Sequence, residues 1–191
     1  MKDLAHHLFD ILENSAKAGA SAVRLRLETH GETLALRLAD NGPGFPLELL
    51  ADPANPYATT RTERPVGLGL ALLKHAAQET GGNLKAGNAP AGGAFVDATF
   101  RLSHVDARPI GDLGALVLDA CASWPDLALT VELVLEKGEP DTVFDHQLVR
   151  EALDGIAVTH PSVRPLLKRE LSESLQRLYA WETTVRTQAF A

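Results

Sequence analysis

Leu4, Leu8, Ile11 and Leu12 recur at three- and four-residue spacing and predict a helix over residues 3–18 with one apolar stripe. His7, Asp10, Asn14 and Lys17 recur at the same spacing on a second, polar stripe, and Gly19 is a natural stop. The period then changes to two. Val23, Leu25 and Leu27 alternate with Arg24, Arg26 and Glu28. After the turn residues His30-Gly31-Glu32, Leu34, Leu36 and Leu38 alternate again, which predicts a hairpin whose second strand runs into Asp40. Residues 52–66 hold Pro53, Pro56 and Pro65 among polar residues and read as a loop. Gly67 and Gly69 open a second helix that runs to about Glu79, and Gly81-Gly82 end it. Strands near residues 83–87 and 94–102 flank a Gly/Pro turn and close an α+β unit.

The pattern continues beyond His104 with a different character. A helix is expected over Leu113–Ser123, and a strand over Leu127–Glu136 with Leu129, Val131, Leu133 and Leu135 on one side. Residues 137–141 read as a turn. Asp145 is placed to cap a helix containing Leu148, Val149 and Leu153. A longer helix is expected over 161–182. The short segment Ser103–Pro109 is the best boundary, so the expectation is two units, 1–103 and a smaller α+β unit at 104–191.

Composition narrows the function classes. The 191 residues are 45% hydrophobic, enough for a sizeable core. The net charge of -7 and the absence of a basic patch argue against nucleic acid as a main partner. The single cysteine, Cys121, lies in an apolar run, so a disulfide framework is excluded and a reducing compartment fits. Neither a signal peptide nor a membrane-spanning apolar segment is visible, and the expectation is a cytoplasmic protein without a membrane partner.

Three short stretches carry candidate chemistry. Asp40-Asn41-Gly42-Pro43-Gly44 ends a strand; its carboxylate accepts hydrogen bonds only, as an exocyclic amino group of adenine requires, and its glycines let backbone approach a ligand. The bland alternative is a tight Asp-Asn-Gly turn. Asn14 offers a side-chain carbonyl to Mg²⁺, which takes few protein ligands when phosphates supply the others. Asp10, one turn away, is a candidate base, and Lys17 lies within reach of a phosphate; the alternative is a solvated helix face. Gly67-Leu68-Gly69-Leu70 opens a helix, whose free N–H groups and dipole suit phosphate. Thr59, Thr60 and Arg61 then fit a lid over the phosphates, with Arg61 as a charge clamp.

In this order the stretches resemble the boxes of the GHKL superfamily of ATP-binding domains, shared by gyrase-type topoisomerases, the large heat-shock chaperone, MutL-type mismatch-repair proteins and sensor histidine kinases. Residues 10–17 resemble its N box, 40–44 its G1 box and 67–70 its G2 box, over about residues 1–102. The resemblance implies a two-layer α/β sandwich of the Bergerat type with a mainly antiparallel mixed sheet. It implies Mg²⁺ on Asn14, adenine on Asp40, the base pocket lined by Gly42 and Gly44, and phosphates at Gly67 and Gly69. It also implies Thr99 on the last strand helping to hold adenine through water. The compact lid and the Gly-Leu-Gly-Leu run are similar to the histidine-kinase branch, although many ATPase members carry glutamate where Asp10 stands. No phosphoacceptor hairpin is visible before the first helix, and His6 and His7 lie within that helix. The expected function is therefore a Mg-ATP-binding, histidine-kinase-like module that transfers the γ-phosphate to a separate partner protein or to water. The alternative is a non-catalytic, nucleotide-gated interaction protein. A homodimer is compatible with either.

Overall fold

The computed structural model describes residues 3–50, 53–54, 68–136 and 138–189. Helix α1 (Leu4–Lys17) is capped by the Asp3 carboxylate, which accepts the His6 N–H. Its stripe of Leu4, Leu8, Ile11 and Leu12 is buried. Strands β1 (Ala22–His30) and β2 (Thr33–Asp40) form the expected antiparallel hairpin, with Gly31 at positive φ in the turn. Helix α2 (Leu68–Glu79) follows, then the antiparallel pair β3 (Leu84–Asn88) and β4 (Ala94–Arg101).

The second half supplies α3 (Leu113–Ser123), β5 (Ala128–Leu135), β6 (Asp141–Asp145), α4 (His146–Leu153) and α5 (Arg164–Gln188). Asp145 caps α4 as expected, its carboxylate accepting the N–H groups of Gln147 and Leu148. Strand β6 is not expected from the sequence. Its polar start and its bulged register against β5 hide the alternation that marks a strand. Leu148 on α4 and Leu166 on α5 are exposed.

The six strands among the described residues form one open, mixed sheet in the order β3-β4-β2-β1-β5-β6. Every neighbouring pair is antiparallel except β1 and β5, which run parallel from Ala22↔Ala128 to Thr29↔Leu135. The expected boundary near residues 103–104 therefore falls inside one sheet. One apolar cluster also spans both halves, joining Leu8, Leu12, Leu25, Leu27 and Phe100 to Leu113, Val117, Leu129, Leu171 and Leu178. Each such leucine stabilises the fold by about 1.5–3 kcal/mol. Val23, Leu25, Leu27, Leu34, Leu36 and Leu38 are buried on the helix side, whereas Arg24 and Arg37 alternate with them and are exposed. The architecture is thus an α+β layer of helices on one face of a sheet.

The connecting segment is stapled by α5. The Glu182 carboxylate accepts the Ile110 N–H at 2.9 Å, and Arg186 donates to the carbonyls of Ala107 and Arg108. Tyr179 accepts the Leu113 N–H and donates to the Gly111 carbonyl, and burial pushes its phenol pKa up. The Arg108 guanidinium turns the other way, reaching His7 Nε2 at 3.0 Å and Glu79 at 3.5 Å. His7 shares the polar stripe with Asp10, Asn14 and Lys17, yet it is fully buried between these elements.

Candidate functional site

Three elements converge at one end of the sheet: the second half of α1, the end of β2 and the first turn of α2. Gly69 is the hinge of this meeting. A Cβ placed on it would lie 3.5 Å from Asp10 Cβ, 3.8 Å from Asp10 Oδ2 and 3.9 Å from Asn14 Nδ2. The Asp10 and Asn14 side chains thus sit against the N-terminal turn of α2, where backbone N–H groups lack helical partners. Leu68 is the first residue of that helix, and Leu70 is buried beneath it. Gly67, Thr59, Thr60 and Arg61 lie outside the described residues.

Asp40 ends β2 on the helix-facing side. Its Oδ2 accepts the Ser15 hydroxyl at 2.7 Å, and its Oδ1 accepts the N–H groups of Gly42 at 2.9 Å and Ala94 at 3.1 Å. A carboxylate offers about four lone-pair directions. Three are used among the described residues, so Asp40 can accept one further N–H, at Oδ2. Gly42 packs closely behind it: a Cβ there would come within 3.1 Å of Asp40 Oδ1.

The turn from Asp40 to Phe45 is held by two asparagines. Asn41 Oδ1 accepts the N–H groups of Ser21 and Ala22 at 2.9 Å each, and its Nδ2 donates to Ser21 Oγ. Asn88, at the end of β3, accepts the Phe45 N–H and donates to the Phe45 carbonyl. Gly44 has φ +79°, a conformation that favours glycine. Gly93 packs its backbone so tightly that a Cβ would lie 1.8 Å from the Asp40 carbonyl oxygen.

One expected site residue is placed elsewhere. Thr99 pairs with Ala35, five residues before Asp40 along β2, and lies on the opposite face of the sheet. At about 3.3 Å per residue the offset is roughly 16 Å. Its hydroxyl instead accepts the Asn83 N–H at 3.0 Å. An adenine-holding role for Thr99 is therefore corrected: alternation sends its side chain to the wrong face. Lys17 is largely exposed and pairs with Glu13 at 3.0 Å. Ser15, Asn41, Asn88 and the Ala94 N–H contribute as well, without a sequence signal that singles them out. Ser15 stands inside the N box, but its contact with Asp40 spans 25 residues and leaves no local pattern.

A cavity of about 640 Å³ lies apart from this cluster, between α3, α4 and residues 155–159. Cys121 and His146 line it. Burial pushes the Cys121 thiol up to about 12, and His146 Nδ1 is held by the Leu127 carbonyl at 2.7 Å. None of Asp10, Asn14, Asp40 or Gly69 borders it.

Known proteins resemble the same half of the chain. The sequence profile of the histidine kinase-, DNA gyrase B- and HSP90-like ATPases matches residues 1–104. A putative sensor histidine kinase NtrY-like of Rickettsia bellii is 33% identical over 108 residues, covering 56% of this chain and 17% of its own. The nitrogen regulation protein NtrY of Azorhizobium caulinodans is 35% identical over 112 residues, covering 53% of this chain and 14% of its own. The chain thus spans less than a fifth of the length of these relatives. The crystal structure of the N-terminal domain of a DNA repair protein superposes with a TM-score of 0.52 at 13% identity, covering 76% of this chain and 53% of that one. This likeness in fold reaches past the profile match and into the second half of the chain.

Proposed function

Because the chain belongs to the family of histidine kinase-, DNA gyrase B- and HSP90-like ATPases, we propose that it binds Mg-ATP and passes the γ-phosphate to a separate protein or to water in a signalling or regulatory role. The observation that carries the reading is the convergence of Asp10, Asn14 and Gly69 with an Asp40 carboxylate that keeps one acceptor direction unused, at one end of the sheet. The residues fit the ligand at both ends. At the base end, Oδ2 of Asp40 takes one donor and keeps a second acceptor direction, which the amino group of adenine would use. At the phosphate end, Asn14 and the open first turn of α2 face each other.

In this reading Asn14 holds the metal through its side-chain carbonyl, and Mg²⁺, when bound, supplies neutralising charge to the phosphates. Gly69 keeps the α2 N-terminus free of side chain, so its N–H groups can meet phosphate oxygens. Asp10 is the base that receives a proton from the attacking hydroxyl or water. Lys17 leaves its pair with Glu13 to meet a phosphate. Thr60, Arg61 and Gly67 close the phosphate end, and Gly42 and Gly44 line the base. A cytoplasmic setting and a phosphoacceptor supplied in trans complete the proposal. No helix among the described residues is long and apolar enough to cross a membrane.

Calorimetry with Mg-ATP, with phosphate release followed in the same sample, tests the reading. The expected result is binding with slow release, and a loss of at least tenfold in affinity for Asn14→Ala and for Asp40→Ala without loss of the folded state; tenfold corresponds to ~1.4 kcal/mol. Unchanged affinity in both variants would sink the assignment. A second reading, nucleotide-gated partner binding without transfer, is favoured by the continuity of the sheet. Strand β5 lies directly beside β1, and the Asn41 side chain ties β1 to the turn at Asp40. Binding with no turnover, together with nucleotide-dependent protection in the second half, would select it.

A further inference from the structure

We infer that Asn88 is a positioning residue that sets the base end of the nucleotide site and its preference for adenine; the inference rests on the ATP-binding reading above. The Asp40–Phe45 turn has no ladder of its own beyond the end of β2. Its near end is tied by Asn41 to the start of β1. At its far end the Phe45 ring packs against the core, and Asn88 supplies the side-chain hydrogen bonds found there among the described residues: Oδ1 accepts the Phe45 N–H at 2.6 Å and Nδ2 donates to the Phe45 carbonyl at 3.0 Å. Only one orientation of the amide satisfies both, because the N–H needs the oxygen and the carbonyl needs the NH₂ group. The side chain thus imitates a neighbouring strand for a single residue of the turn.

The geometry links this clamp to Asp40. Asn88 pairs with Ala94 across β3 and β4, and the Ala94 N–H is one of the three donors on Asp40. Gly44, just before Phe45, packs against the Asn88 amide so closely that a Cβ would lie 2.6 Å from its Oδ1. Asn88 therefore fixes where Gly44 and Phe45 stand relative to the carboxylate that accepts the base. An amino group at that place donates to Asp40. Guanine presents a carbonyl oxygen instead, which the carboxylate repels. Discrimination between the two requires that the turn not yield. Without the clamp the far end of the turn is less ordered before binding, and ordering it costs conformational entropy at the moment of association.

The test is calorimetric titration of the wild type and Asn88→Ala with Mg-ATP and with Mg-GTP, alongside a thermal melt. Two exposed hydrogen bonds, at the low end of what such bonds contribute, imply a loss of about fivefold in ATP affinity. GTP affinity should stay the same, so the ATP-over-GTP preference falls by the same factor. Unchanged ATP affinity, or an equal loss for both nucleotides, would overturn the inference, since a merely structural role does not move the ratio. Should Asn88→Ala fail to fold, Gly44→Ala drives a methyl group into the same amide and is expected to lower the same ratio. A wild type that binds no ATP would strike the site reading itself, whereas a wild type that binds ATP beside an indifferent Asn88 variant strikes only the role of Asn88.

Discussion

His7 shows how far a residue's role can depart from its place in a sequence pattern. It shares a helical stripe with Asp10, Asn14 and Lys17, yet it is fully buried, and its Nδ1 finds no partner among the described residues. Burial, reinforced by the Arg108 guanidinium, lowers its pKa from 6.5 to about 4. The native imidazole stays neutral where the unfolded one protonates. Below the unfolded value the denatured chain takes up a proton that the native protein refuses, so stability falls as pH drops from 6.5 towards 4. The loss across that window is of order 3 kcal/mol. Urea unfolding at pH 7 and pH 4.5 should show a fall that His7→Leu flattens. An unchanged slope in the variant would remove His7 as the cause. Asp40 is the contrasting case, since the carboxylate read from the sequence as an acceptor is one, taking three donors. What could not be read there was the meeting itself, because the donors on Asp40 come from Ser15, Gly42 and Ala94, three separate parts of the chain.

Among the elements, α1, the β1–β2 hairpin, α2 and the β3–β4 pair follow from periodicity because each buries one face and wets the other. Strand β6 does not, since an edge strand of five residues with a bulge lacks that contrast. The turn leading into β4 is where backbone packing is tightest. Gly92 and Gly93 both have positive φ, but a Cβ on Gly92 would meet nothing within 4 Å, whereas one on Gly93 would strike the Asp40 carbonyl at 1.8 Å. Gly92→Ala is therefore expected to cost only the conformational strain, about 1–2 kcal/mol. Gly93→Ala adds a backbone collision and should cost at least twice that, by denaturant unfolding. Equal losses would show that the close approach is not rigid.

On the scale of the whole molecule, the profile match ends at residue 104 but the sheet does not. Removing residues 105–191 would strip β5 from the full length of β1 and uncover the sides of Leu8, Leu12, Leu25 and Leu27 that face the second half. An exposed parallel edge and an opened apolar face favour association. A 1–104 fragment is expected to aggregate, or to lack a cooperative melt, under conditions where the full chain is folded. A monomeric fragment melting within a few degrees of the full chain, by scattering and circular dichroism, would show that the halves are energetically separate.

The sequence by itself determined every α-helix and strand but β6, and the residue types of the three motifs at the candidate site. Amphipathic period, glycine turns and an aspartate at a strand end are local features, and local physics writes them within a few neighbouring residues. Only the tertiary structure decided which of them meet. It brought Asp10 and Asn14 against Gly69, gave Asp40 its three donors, turned Thr99 to the other face, buried His7 under Arg108 and set β5 beside β1. Those outcomes depend on strand order, register and packing between residues far apart in the chain. Their energies are paid only when the whole sheet forms, so no short stretch of sequence carries their signature.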